Sequence, residues 1–299
     1  MGPSEDRTPT PGAPHGGRGE PGGDGTLLVV DGAVDVPGPL TRSSRVELVA
    51  GEVWSEGARF GGGGKELWAL LRGDRYPSTT PPTVSALVAA YGRGAPVVGV
   101  HVSSQLSVTV ARAREAVARI GVGRGPGAHV VDTGSLSVGA GLVALAVHEA
   151  VDRPADALAA LARSVASRLH TFALVQEVRA LRHSDRASLV PQAHLVSSHP
   201  LVLAVRGRVV PLAQPRHRRH AVEALAGHVD ATAGHRLGAW ALGHGDAGDV
   251  DAVVERLSEQ LGMPPRFATE LGPTVGSHLG PDALVVAAVV GSIDGSIDG

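Results

Sequence analysis

Three hydroxyl-rich stretches carry the residue types best suited to hold a small anion. They are Thr79-Thr80-Pro81-Pro82-Thr83, Ser103-Ser104-Gln105-Leu106-Ser107 and Asp132-Thr133-Gly134-Ser135. Each follows a predicted strand or precedes a predicted helix. Backbone N–H groups at a helix start, helped by hydroxyls, bind anionic head groups. The same residues also suit plain N-caps, in which one hydroxyl accepts from the first turn. The residues alone leave both readings open.

Other motifs fall short of their chemistry. Gly61-Gly62-Gly63-Gly64-Lys65 fails as a phosphate loop, because Arg59 stands where a glycine is required and Glu66 where a Ser or Thr would hold magnesium. Gly243-His244-Gly245-Asp246-Ala247-Gly248 has the spacing of a dinucleotide fingerprint, with Glu270 about the right distance beyond. Too little chain follows Glu270 to complete a nucleotide-binding half, so a strand-to-helix turn is the better reading. His217 with His220, and His194 with His199, have metal-like spacing but no accompanying acidic motif. No G-x-S-x-G elbow is present.

The elements that must position these residues alternate. Short β-branched runs at 27–30, 46–49, 97–101 and 128–131 read as buried strands. Helical patterns at 65–72, 83–91, 108–119 and 137–151 separate or follow them. Such alternation predicts a parallel, Rossmann-like sheet covered on both faces, with ligands beyond the carboxyl ends of its strands. From about residue 153 the pattern changes. A helix over 155–170 precedes a hairpin, 201–205 and 208–212, joined by Arg206-Gly207. Helices at 217–231 and 249–261 then alternate with strands at 237–242, 266–270 and 284–290. The expectation is a two-domain α/β protein. Its arm (1–25) is disordered, its parallel α/β domain spans 26–152, its second α/β domain with a mostly antiparallel sheet spans 153–290, and a flexible tail (291–299) repeats GSIDG.

Composition narrows the classes. The 299 residues contain no Cys, which excludes disulfide scaffolds, thiolate metal sites and a cysteine nucleophile. A formal charge of −2 gives no support to nucleic-acid attraction. Of 27 basic residues only Lys65 is a lysine, and Asn is absent, an imprint of GC-rich codons rather than of arginine chemistry. The longest apolar run, Ala283–Val290, is far short of the ~20 residues that span a bilayer. The N-terminal stretch lacks the apolar core of a secretory signal. A cytoplasmic protein is expected.

Read in order, the motifs resemble the DegV family. Val30-Asp31-Gly32-Ala33-Val34-Asp35-Val36-Pro37 is similar to the family's T-D-S-T-A-D-L-P. Trp54-Ser55-Glu56-Gly57 and Lys65-Glu66-Leu67-Trp68 resemble its Y-x-D-G and E-F-Y segments, and Thr79–Thr83 its T-S-Q-P-S. Ser103–Thr109 resembles S-S-x-L-S-G-T, and Asp132–Gly141 the following D-[ST]-x-x-x-S-x-G-x-G stretch. Further on, Arg186 falls at the family's G-G-R, His199-Pro200 at its K-P and Pro215-Arg216 at its V-R-x-K-K. Gly276-Ser277-His278-Leu279-Gly280-Pro281 resembles G-x-H-x-G-P-G. The likeness covers roughly 26–290. Gly32, Val108, Ser184-Asp185 and Asp282 depart from it, and Val108 is expected to reshape the loop beside the head group.

The resemblance implies a bacterial fatty-acid-binding protein, the lipid-carrier subunit of fatty-acid kinase. One long-chain fatty acid would lie in an interdomain tunnel with no further cofactor. Thr79 and Ser104 would contact its carboxylate, with Thr80 and Ser103 as neighbours. His278 and Arg216 would supply charge and orientation, with Arg186 a further candidate. The implied partner is a separate kinase catalytic subunit that phosphorylates the carboxylate for phospholipid synthesis, with transient contact to a membrane surface. This chain would not be the catalyst. Two alternatives remain at this point: an acyl hydrolase or transferase using Ser104 and His278, and a divergent binder of another apolar acid.

Overall fold

The computed structural model describes residues 25–93, 96–121, 127–176, 178–184, 187–195 and 200–294. Most of the expected arm and tail, together with Arg186 and His199, lies outside the described residues.

The first half contains β1 (Leu27–Asp31), α1 (Gly38–Thr41), β2 (Val46–Val49), β3 (Glu52–Ser55) and β4 (Ala58–Arg59). It continues through α2 (Gly64–Arg72), β5 (Ser78–Thr80), α3 (Val84–Tyr91), β6 (Val97–His101) and α4 (Thr109–Ile120). β7 (Ala128–Asp132) and α5 (Ser137–Glu149) complete it. The four predicted strands pair in parallel in the order β2-β1-β6-β7. β1 shows why its run is uninterrupted in hydrophobicity. Leu28 and Val30 face one core, Leu27 and Val29 another, because successive side chains point to opposite faces. The three short strands β4-β3-β5 form a separate small sheet for which the sequence carries no extended apolar run.

The second half comprises α6 (Ala155–Ser167), β8 (Leu169–Val175), α7 (Val178–His183), α8 (Gln192–Leu195), β9 (Leu201–Arg206) and β10 (Arg208–Ala213). It ends with α9 (Arg218–Ala233), β11 (Leu237–His244), α10 (Val250–Leu261), β12 (Phe267–Glu270), α11 (Pro273–Leu279) and β13 (Leu284–Val290). Its sheet runs β10-β9-β8-β13-β11-β12, antiparallel throughout except for the parallel β11–β12 pair. The predicted hairpin is present, with Gly207 at φ 71° making the turn. β8, a central strand, is the correction: the expected helix over 155–170 stops at Ser167 and a strand begins two residues later.

α5 joins the two halves. Every residue from Ser137 to Val147 is buried. A helix apolar all round belongs inside. α5 packs against β1 and β6 on one side and β8, β11 and β13 on the other. One hydrophobic cluster therefore runs from Leu28 and Val98 through Leu142 and Val143 to Ala173 and Val285. Close approach requires small residues: a Cβ on Gly139 would lie 2.3 Å from the Ser135 and Thr171 hydroxyls, and one on Gly141 2.1 Å from the Asp35 carbonyl oxygen. α3 and α4 cover the far face of the parallel sheet, and α9 and α10 the far face of the mixed one.

The dinucleotide-like spacing at 243–248 is the β11–α10 connection. Gly243 packs on Leu271, and a Cβ on Gly245 would lie 2.0 Å from the Pro281 carbonyl oxygen. Packing accounts for both glycines.

Candidate functional site

A cavity opens beyond the carboxyl ends of β1 and β6 and is closed on its other side by β8, β9, α7 and α11. This is the position expected for a ligand site on a parallel sheet. Its polar lining residues are Asp31, Thr79, Thr80, Ser107, Thr109, Thr274 and His278, and the lining also includes apolar side chains, among them Leu136, Leu181, Leu203, Val205 and Leu279. Asp31 and His278 are the only ionisable residues among the described ones that line it.

Thr79 is the middle residue of β5, opposite Val53 of β3. The small sheet thus fixes its side chain, which is buried. Thr79 Oγ1 lies 3.0 Å from His278 Nε2, a hydrogen bond that links the first half of the chain to α11. Beside it, Arg112 donates to the carbonyls of Pro81 and Pro82 at 3.0 and 2.9 Å and holds that loop against α4. Ser107 and Thr109 share a hydroxyl–hydroxyl bond of 2.8 Å. Together these groups can bind a carboxylate or similar anion, since a buried anion needs donors and preferably a cationic partner.

The structure brings Thr79, Thr80 and His278 together and leaves the other described candidates elsewhere. Ser103 is buried but donates to the Gly207 carbonyl at 2.9 Å, and Gly207 N–H donates to Gly134 O. Ser103 therefore clamps the hairpin tip onto the loops of the parallel sheet. Ser104 is exposed, its backbone N–H donating to Asp132 Oδ1, and it does not line the cavity. Arg216 is exposed in the connection after β10 and is likewise not in the lining. Its neighbour Arg218 is the engaged cation, donating two hydrogen bonds to Asp249 and one to the Asp282 carbonyl. That pairing holds the Asp249 carboxyl below its usual range. The Ser104–His278 pair of the hydrolase alternative is not formed. His278 instead meets Thr79, whereas an activated serine needs its base within hydrogen-bond reach.

Ser107 and Thr109 were not singled out from the sequence as ligand contacts. Their motif was legible as a cluster, but which of its hydroxyls face inward depends on how the loop turns into α4. Val108 is half exposed and its side chain lies outside the lining, between Ser107 and Thr109, which are in it. Asp282 has a partner of its own: Arg72 of α2 reaches both Asp282 and Asp246 at 3.3 Å. Among the described residues no group of three or more metal-capable side chains converges, and no helix is long and apolar enough to cross a membrane.

Two buried carboxyls brace the site. Asp31 accepts from Ala33 N–H, from Val102 N–H and from His101 Nδ1 at 2.9, 3.0 and 3.1 Å, and His101 Nε2 meets the Tyr91 hydroxyl at 2.7 Å. Burial, and the nearby Asp31 charge, push the Tyr91 hydroxyl up and keep it protonated as a donor. Asp35 accepts from Ser137 Oγ at 2.6 Å and from Gly272 N–H at 2.8 Å, where α11 begins. Desolvation by burial pushes the Asp35 carboxyl up to about 6, against the opposing effect of both hydrogen bonds. Ser137 adopts φ 53°, a left-handed conformation that costs a non-glycine residue and is held here by Asp35 and the Ala33 carbonyl.

Fold and cavity define a class: two-domain α/β proteins that enclose a mostly apolar cavity between a parallel and a mixed sheet. The model of the family described as "Uncharacterised protein, DegV family" matches residues 26–290, and the chain belongs to that family. A DegV domain-containing protein of Mycobacterium tuberculosis is 28% identical over 272 residues, which cover 87% of this chain and 95% of that one. One from Streptomyces coelicolor is 27% identical over 237 residues, 74% and 82% of the two chains. Among solved structures, a fatty-acid-binding DegV family protein from Thermus thermophilus superimposes with a TM-score of 0.78 at 25% identity, covering 89% of this chain and 99% of its own. DegV of Bacillus subtilis, a fatty acid binding protein, gives 0.75 at 20%, covering 90% and 100%.

Proposed function

We propose that this protein binds a long-chain fatty acid, with the carboxylate at Thr79 and His278 and the acyl chain along the apolar walls of the cavity. The observation that carries this reading is a cavity lined mostly by apolar side chains in which the Thr79 hydroxyl and the His278 imidazole meet at 3.0 Å. Burying about fifteen methylenes contributes on the order of 12 kcal/mol before association costs are subtracted. Thr79 and His278 supply orientation. The fatty-acid binding of the Thermus relative supports the same assignment.

In this reading the chain presents its ligand to a separate fatty-acid kinase and is not the catalyst. The carboxylate oxygen attacks the terminal phosphoryl group of a nucleotide held by the kinase, the nucleoside diphosphate leaves, and the acyl phosphate stays with this chain. Such a transfer depends on positioning and charge stabilisation more than on covalent chemistry from the protein. Thr79 and His278 hold the nucleophile in place. The test is mass spectrometry of the purified native protein, followed by incubation with a fatty-acid kinase and nucleotide. A co-purifying or readily loaded fatty acid, phosphorylated only when this chain is present, is expected. No lipid bound and none taken up would sink the reading.

A further inference from the structure

A second cavity adjoins the first, walled mainly by apolar residues of β1, β2 and β3 together with Phe60 and Pro273. Three residues line both cavities: Gly32, Gly51 and Thr274. Each stands beside polar residues of the first. Gly51 lies so close to Thr80 that a Cβ there would be 1.8 Å from the Thr80 carbonyl oxygen. Thr274 precedes His278 by four residues on α11 and so shares its helix face. Gly32 directly follows Asp31, and a Cβ on it would lie 3.2 Å from Thr274 Oγ1 and 3.3 Å from Ala50. The partition between the cavities is therefore two glycines and a threonine, placed next to the proposed carboxylate position.

The chemistry of the second cavity selects what can enter. Its charged lining residues are Asp35, Glu52, Glu270 and Arg59. Arg59 lies 3.6 Å from Glu52, Glu270 accepts from Trp68 Nε1 at 2.5 Å, and both Asp35 oxygens are engaged. Three carboxyls against one paired guanidinium disfavour an anionic head group, whereas the valine, leucine and phenylalanine walls suit alkyl groups.

We infer that the second cavity is an annex of the ligand site that takes an alkyl branch carried next to the carboxyl group. The ligand class then includes α-alkyl-branched carboxylic acids, and Gly32 is the specificity-determining residue that keeps the partition thin. This rests on the fatty-acid reading above. A single-tailed acid occupies the first cavity alone. An α-branched acid places one tail in each, with its carboxylate held at the fork by Thr79 and His278.

The test is titration calorimetry of the delipidated full chain with hexadecanoic acid and with α-butylhexadecanoic acid, using wild type, Gly32→Val and Leu48→Trp. Leu48 lines the second cavity from β2 and is half exposed, so a larger side chain there fills the annex without entering the core. Wild type is expected to bind both acids with affinities within about tenfold, Leu48→Trp to weaken only the branched acid, by about tenfold or more, and Gly32→Val, at a position that lines both cavities, to weaken the branched acid about tenfold more than the linear one. Wild type binding the linear but not the branched acid overturns the inference, as does equal weakening of both acids, or of neither, in the two variants. Should thermal unfolding show Gly32→Val misfolded, Leu48→Trp decides alone. Failure of wild type to bind either acid overturns the fatty-acid reading instead.

Discussion

Thr79 carries more of the proposed site than any other hydroxyl, because its strand position and its bond to His278 fix where it points. Thr79→Val keeps the shape and removes the donor. A hydrogen bond to a charged group is worth roughly 1.5–3 kcal/mol, so the dissociation constant for hexadecanoic acid should rise about ten- to a hundredfold by calorimetry. Ser104→Ala should leave that constant unchanged within about twofold, the residue being exposed and outside the lining. A loss comparable to that of Thr79→Val would return Ser104 to the site. At this scale the sequence was half legible. Thr79, Thr80 and His278 are reached through the family resemblance, since their residue types alone leave a helix cap or a ligand contact equally open. Ser107 and Thr109 are not, since which of several adjacent hydroxyls turns inward depends on loop geometry that no residue type encodes. Arg216 and Arg218 are two apart in one basic run, and only packing against Asp249 and Asp282 tells them apart.

α11 is held at its start by Asp35, and this gives the fold a pH dependence. Asp35 titrates near 6 in the folded chain against an ordinary 3.8. Between those values the folded state keeps a proton that the unfolded state releases. The corresponding stability is present in full below about 3.8 and lost as pH rises through about 6, a fall of about 3 kcal/mol. Urea midpoints across that window should decline with pH in wild type and decline less in Asp35→Asn, whose amide cannot ionise. Matching slopes would remove Asp35 as the cause. On α5, Gly139→Val should lower the melting temperature markedly, because even a Cβ there would lie 2.3 Å from two hydroxyl oxygens. A melting temperature equal to wild type would show that α5 can shift. β1 and β6 were legible as uninterrupted apolar runs, a consequence of burial on both faces. β8 was not, because Leu169 follows α6 with only Arg168 between and the apolar pattern runs on. α11 was missed as a helix for the opposite reason: seven residues containing a proline and a glycine lack helical periodicity.

One continuous core crosses both halves of the molecule, so the two sheets should unfold together. Trp240 is buried in the cluster under α9 and α10, and Trp68 packs near α11, so tryptophan fluorescence samples both regions. Its denaturation curve should coincide with that of far-ultraviolet dichroism, and separated transitions would contradict a shared core. Fatty acid at a hundred times its dissociation constant should add about 2.7 kcal/mol to the unfolding free energy, provided that it binds only the folded chain.

The all-buried helix between the sheets also bears on traffic. Two lobes that share one interior must break that packing to part like jaws and take in or let go of a ligand. A local gap in the cavity wall disrupts less of it, and α7 and α11, short helices packed on each other, form part of that wall. How firmly cargo is held and how fast it leaves then become separate properties. For the proposed fatty acid, the opening of that wall would set how fast it leaves, separately from how tightly it binds.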